Sequence, residues 1–217
     1  MTIEFRPPRP GEEGQLRALF TEAFHDAWFT ELFFDRGYSP DRCFLAAETE
    51  VLAGLHWFDC TLRGRKVAYI YGIATFEKQR GKGIGSRLIQ AALKHLEQDY
   101  DAALLVPAEE GLFGYYERFG FRPVSSICEE TIPAGTPLPL RKLSLFEYAA
   151  LRRSHLPPNG VLQEGAALEL LGDKRDAAGI LGALGIPEAI VRTPGSGKPF
   201  AMGIGLEALV HFGLALD

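Results

Sequence analysis

Six consecutive residues, Arg80-Gly81-Lys82-Gly83-Ile84-Gly85, carry the clearest chemistry in the chain. They follow an apolar run that ends near Thr75, and they open a stretch with helical periodicity. The first N–H groups of a helix have no acceptor within it and sit at the positive end of its dipole. Glycines remove the Cβ atoms that would keep a phosphate at a distance. Together these features make a cradle for a diphosphate. Hydrogen bonds to a charged acceptor contribute roughly 1.5–3 kcal/mol each. A few of them approach the roughly 8 kcal/mol of a micromolar ligand.

Spacing excludes two common nucleotide loops. A dinucleotide fingerprint needs G-x-G-x-x-G, but the third glycine position falls on Ser86 counted from Gly81 and on Leu88 counted from Gly83. A Walker loop needs Ser or Thr after its lysine, and Lys82 is followed by Gly83. Gly195-Ser196-Gly197-Lys198 also has the look of a phosphate loop, but Pro199 follows where a hydroxyl is required, so a turn is the better reading.

The loop resembles the acetyl-CoA-binding motif Arg-x-x-Gly-x-Gly of the GNAT acetyltransferase superfamily, with Arg80, Gly83 and Gly85 in the matching positions. A second motif, Tyr116-Glu117-Arg118-Phe119-Gly120-Phe121, is similar to that family's Tyr-x-x-x-Gly-Phe and lies about thirty residues on, beyond an apolar run. The resemblance covers residues 1–132. It departs from many members at Glu77, where a proline is common, and in Val106-Pro107-Ala108-Glu109-Glu110, where an asparagine is common.

The resemblance implies an acetyl-CoA-dependent N-acetyltransferase acting on a primary amine of a small molecule or peptide. It assigns the pyrophosphate to the residues from Arg80 through Gly81, Lys82, Gly83, Ile84 and Gly85 to Ser86. The pantetheine arm falls to the main chain of Ile73, Ala74 and Thr75, where neighbouring parallel strands splay in the family. Tyr116 takes the role of general acid for the departing thiolate. A phenol near pKa 10 protonating a thiolate near 8.5 is uphill by roughly 2 kcal/mol, small against a catalysed barrier. The base is less marked: Glu77 lies at the mouth of the loop, and His56, Asp59, Glu109 and Glu110 are further candidates. The alternative is a non-catalytic acyl-CoA-binding sensor or assembly module.

These residues need elements to hold them. The stretch 2–6 reads as a short edge strand stopped by Pro7-Pro8. Leu16, Leu19, Phe20, Ala23 and Phe24 recur at helical spacing, and Trp28, Phe29, Leu32 and Phe33 suggest a second helix. Strands follow over 43–47, 51–62 and 66–75 in hairpin order, then a helix over 84–98. Ala102-Ala103-Leu104-Leu105-Val106 has the all-apolar character of a strand buried on both faces. A short helix near 112–118 leads to a last strand. The outcome is an α/β fold: a mixed, mostly antiparallel sheet flanked by helices.

The dense ring cluster of Phe24, Trp28, Phe29, Phe33 and Phe34 reads mostly as core, although in the family this region borders the acceptor pocket. Ile132–Pro139 carries three prolines and reads as a linker over 133–140. Beyond it, 141–217 is expected to form a small α/β extension that packs beside the acceptor side or builds a homodimer interface. It holds a helix over 144–154 with a capping-box spacing from Ser144 to Glu147, a helix over 164–171, and a hairpin of 189–192 with 200–204.

Bulk composition narrows the setting. The chain has 217 residues, 47% hydrophobic and 24% charged, with a net charge of −5 and no basic block. A face that neutralises nucleic-acid phosphates is therefore not expected. Cys43, Cys60 and Cys128 are scattered, and His155 and His211 stand alone, so no metal site is expected. With no signal-peptide core and no long apolar run, a cytoplasmic, soluble protein with no membrane partner is expected.

Overall fold

The computed structural model of the chain describes residues 2–133, 144–155, 160–163, 165–168, 170, 188–194 and 197–206. The strands are β1 (Glu4–Arg6), β2 (Cys43–Ala47), β3 (Val51–Leu62), β4 (Arg65–Thr75), β5 (Ala102–Leu105), β6 (Arg122–Pro133), β7 (Leu162–Gln163), β8 (Glu188–Pro194) and β9 (Lys198–Ile204). The helices are α1 (Glu13–Phe24), α2 (Ala27–Arg36), α3 (Ile84–Leu96), α4 (Phe113–Glu117) and α5 (Leu145–His155).

All nine strands join one sheet in the order β1-β2-β3-β4-β5-β9-β6-β8, with β7 added to β3. Only β4 and β5 pair in parallel; every other pairing described is antiparallel. The expected fold class, a mixed and mostly antiparallel sheet flanked by helices, is the one observed.

Alternation along the strands places a core on each face of the sheet. On one face Leu16, Leu19, Phe20, Phe33 and Phe34 of α1 and α2 cover Leu45, Phe58, Tyr69 and Leu104. On the other, Ile84, Leu88, Ile89, Ala92 and Leu96 of α3 cover Ala46, Leu55, Trp57, Ile70 and Leu105. The neighbours Leu45 and Ala46, or Leu104 and Leu105, thus serve opposite cores, as a period of two requires. The capping box expected at α5 is present: Ser144 Oγ accepts from Glu147 N at 3.2 Å, and Ser144 N donates to the Glu147 carboxylate at 2.8 Å.

The expected hairpin of 189–192 with 200–204 does not form. β8 runs antiparallel to β6 over Ile127–Pro133, and β9 runs antiparallel to the same strand over Arg122–Ile127. Two strands antiparallel to one partner run in the same direction, which a hairpin forbids. β9 also pairs with β5, Leu104 facing Gly203, so this late segment enters the sheet beside the strands that carry the site. The expected linker beyond Pro133, parts of the helix expected over 164–171 and of the 194–197 connection, and His211 lie outside the described residues. No described helix is long and apolar enough to cross a membrane.

Candidate active site

The glycine loop leaves β4 at Thr75, passes through a single 3₁₀ turn at Glu77–Gln79 and enters α3 at Ile84. Gly81 and Gly83 have φ of +77° and +72°, a region that L side chains enter only with strain. A Cβ added at either would meet nothing within 4 Å, so both glycines face open space. Gly83 caps α3 without a side-chain hydrogen bond, and the first-turn N–H groups of the helix are left to an outside acceptor.

A cavity of about 290 Å³ opens on this loop, walled by Thr75, Gln79, Arg80, Gly81, Gly83 and the first helical residues Ile84, Gly85 and Ser86. Tyr115 closes it from α4. Its Oη lies 3.3 Å from Ser86 Oγ. Two exposed cations border the site: Arg80 Nε donates to Thr75 O at 3.2 Å, and Lys82 Nζ donates to Gln79 Oε1 at 2.8 Å. Glycines without Cβ obstruction, unbonded helix N–H groups and two cations fit a diphosphate in charge and in shape. Tyr115 and Gln79 were absent from the sequence expectation, since a tyrosine beside another tyrosine carries no mark of which one faces the loop.

β4 changes partner along its length. It pairs with β5 only from Val67 with Ala102 to Ile70 with Leu105. Opposite, the register with β3 shifts between His56 and Trp57, which face Gly72 and Ile70, so Tyr71 is the extra residue of a bulge. Ile73, Ala74 and Thr75 remain paired with Leu55, Gly54 and Ala53 of β3, and no β5 residue pairs with them. The sheet therefore opens between β4 and β5 next to the glycine loop.

Tyr116 sits on α4 with its ring edge-on to Tyr115 at 5.3 Å and to Phe121 at 6.1 Å. Burial, with a smaller contribution from Tyr115, pushes its phenol up to about 12. The group stays protonated across any working pH, and giving its proton to a thiolate near 8.5 becomes uphill by about 5 kcal/mol. Glu77 is exposed at the start of the 3₁₀ turn, and its N–H donates to Glu22 Oε1 of α1 at 2.7 Å. Neither Tyr116 nor Glu77 lines the glycine-loop cavity.

The other base candidates stand apart from the loop. His56 is 1% exposed and walled by Phe33, Tyr38 and Phe58. Burial, and secondarily Arg42, lowers its imidazole to about 3. Asp59 accepts from Arg42 Nε at 2.9 Å and Nη2 at 2.7 Å, and also from Tyr100 Oη. These bonds hold the carboxylate below its usual range despite its partial burial. Glu109 and Glu110 border a separate cavity of about 720 Å³ beyond β5. Across the sheet, Phe20, Phe24, Phe29 and Phe33 with Tyr71 and Gly72 wall a slot of about 250 Å³. The rings expected to be mostly core therefore also enclose space.

A family model described as the acetyltransferase (GNAT) family matches residues 13–121, which span β2 to β5, the glycine loop and the tyrosine motif. The chain belongs to that family. Membership makes it an enzyme of the N-acyltransferase type. No curated protein matches the sequence. Solved structures do resemble this GNAT chain. A conserved protein of unknown function from Enterococcus faecalis V583, described as a probable N-acyltransferase, is 15% identical, with a TM-score of 0.65 over 94% of this chain and 72% of its own. A GCN5-related N-acetyltransferase from Anabaena variabilis is 20% identical, with a TM-score of 0.63 over 79% of this chain and 48% of its own. Eis1 from Mycobacterium abscessus is 18% identical, with a TM-score of 0.62 over 82% of this chain and 48% of its own. The GNAT chain thus spans about half the length of the last two. At these identities the likeness establishes a shared fold.

Proposed function

We propose that this GNAT chain transfers an acetyl group from acetyl-CoA to a primary amine of a small molecule or peptide. One observation supports this reading above the others: a glycine loop with open, unbonded N–H groups stands where β4 parts from β5. A diphosphate on that loop leaves its attached arm free to run along the edge of β4 that β5 leaves unpaired beyond Ile70. The names of the Enterococcus and Anabaena proteins agree with that reading.

Arg80, Gly81, Lys82, Gly83, Ile84, Gly85 and Ser86 hold the pyrophosphate. Ile73, Ala74 and Thr75 hold the pantetheine arm through the backbone, and a main-chain N–H there polarises the acyl carbonyl. When bound, the cofactor supplies the acyl group as a thioester. Tyr116 keeps a proton at Oη for the sulfur that departs as the new C–N bond forms. Glu77, directly or through water, accepts the proton that the amine gives up. Its backbone N–H is held by Glu22 Oε1, and the residue is exposed at the mouth of the loop, open to an incoming amine.

The test is calorimetric titration with acetyl-CoA, followed by thiol release in the presence of a panel of amines. Micromolar binding with amine-dependent release is the expected result. Tight binding without release on any amine would leave a sensor, and absence of binding would end the proposal.

A further inference from the structure

We infer that the acceptor amine carries an aryl or similarly bulky apolar group, seated in the slot between α1, α2 and the β4 bulge. The inference rests on the acetyl-transfer reading and narrows its substrate class.

The slot measures about 250 Å³. An apolar cavity of about 150 Å³ is enough for benzene, so one ring with a short linker fits. Phe20, Phe24, Phe29, Phe33 and Tyr71 form its walls. Phe20 and Phe33 stack at 5.5 Å, and Phe29 leans on Tyr71 at 6.2 Å. Gly72 keeps the floor flat, because a Cβ there would lie 2.7 Å from Phe20 Cε1. Phe24 is 44% exposed, an apolar ring left at the surface of an otherwise closed cluster.

Two of the polar groups at the slot, Thr30 Oγ1 and Asp26 Oδ1, are already engaged. Thr30 Oγ1 donates to Asp26 O at 2.8 Å, and Asp26 Oδ1 accepts from Phe29 N at 2.8 Å. Burial pushes the Tyr71 phenol up to about 12, so it stays neutral. Such walls offer little to a sugar or to a chain studded with ammonium groups, whose polar atoms would lose water without replacement. Among the described residues Asp26 is the one charged residue that lines the slot, and its sign attracts an ammonium to the rim.

Position ties the slot to the chemistry. Its floor residues Tyr71 and Gly72 directly precede Ile73–Thr75 on β4. A ring held there presents an attached amine to the end of β4 where the sheet opens. The larger cavity beyond β5, bordered by Glu109, Glu110 and Glu117, is the surface that a polyamine would prefer.

The experiment compares 2-phenylethylamine, tryptamine, spermidine and a lysine-containing peptide as acceptors with the full chain and acetyl-CoA. We expect kcat/KM for the two aryl amines to exceed that for spermidine and the peptide at least tenfold. Phe24→Ala should raise KM for 2-phenylethylamine fivefold or more, with KM for acetyl-CoA within twofold and a cooperative unfolding transition retained. Preference for spermidine or the peptide, or an unchanged KM in the variant, would overturn the inference while leaving acetyl transfer standing. Should acetyl-CoA itself fail to bind, the transfer reading falls. The slot is then decided by calorimetric titration of 2-phenylethylamine into the free chain: binding lost in Phe24→Ala upholds it, and no binding refutes it.

Discussion

Tyr115 Oη and Ser86 Oγ stand 3.3 Å apart, joining α4 to the first turn of α3 across the mouth of the glycine-loop cavity. Both hydroxyls border space where the loop has unbonded donors, so the phenol is placed to add one more to a bound anion. A net hydrogen bond contributes about 1 kcal/mol, or about a fivefold change in affinity. Tyr115→Phe is therefore expected to raise the Kd for acetyl-CoA about fivefold by calorimetry, with kcat within twofold. An unchanged Kd would mean that the phenol serves α4 packing alone.

Gly83 and Gly114 make a matched pair. A Cβ added at either meets nothing within 4 Å, yet Gly83 has φ +72° and Gly114 lies inside α4. Only backbone conformation separates the two substitutions. Gly83→Ala should cost about 1–2 kcal/mol of stability through left-handed strain and weaken acetyl-CoA binding as the loop shifts. Gly114→Ala should instead stabilise by about 0.5–1 kcal/mol, because it restricts the unfolded chain without strain. Denaturant midpoints of the two variants, measured side by side, check the opposite signs.

Tyr116→Phe separates proton donation from packing. The ring and its contacts with Tyr115 and Phe121 remain, and only the hydroxyl is lost. kcat is expected to fall tenfold or more while the Kd for acetyl-CoA stays within twofold. Burial pushes this phenol up to about 12, so its titration contributes no fall in kcat between pH 8 and pH 10. An unshifted phenol, near pKa 10, would be half ionised at the upper limit. Unchanged kcat in the variant would retire the assignment.

What the sequence revealed follows from which features are local. The φ values of Gly81 and Gly83 are written in the residues, because glycine is the type that occupies them without strain, and the loop was legible for that reason. Ser144 and Glu147 were legible because a capping box is a spacing rule within one turn. The extra residue at Tyr71 was not, since a bulge is defined against the partner strand and no residue type marks it. The composition of Pro194-Gly195-Ser196-Gly197 suggested a reversal, but the direction of β8 and β9 is set by β6, a strand far earlier in the chain. Tyr115 and Tyr116 are neighbours in sequence and about 100° apart around a helix, so only the packing of α4 separates their surroundings.

His56 links the fold to pH. Its ring is 1% exposed, its Nε2 accepts weakly from Ser39 N at 3.4 Å, and its Nδ1 has no partner among the described residues. Burial lowers the folded pKa to about 3, while the unfolded chain titrates near 6.5. Below pH 6.5 the unfolded state therefore takes up a proton that the native state refuses, and stability falls as pH falls through that window. The linkage relation gives a loss of about 2 kcal/mol between pH 7 and pH 5 from this one group. The carboxylates held below their usual range, Asp59, Glu4 and Glu12, lose their stabilising contribution only at lower pH, so they do not mask it. His56→Phe replaces the imidazole with another ring among Phe33, Tyr38 and Phe58 and removes the titration. The fall in unfolding free energy between pH 7 and pH 5, measured by denaturant titration, should shrink by about that amount in the variant. An equal fall in both proteins would show that another group carries the acid sensitivity.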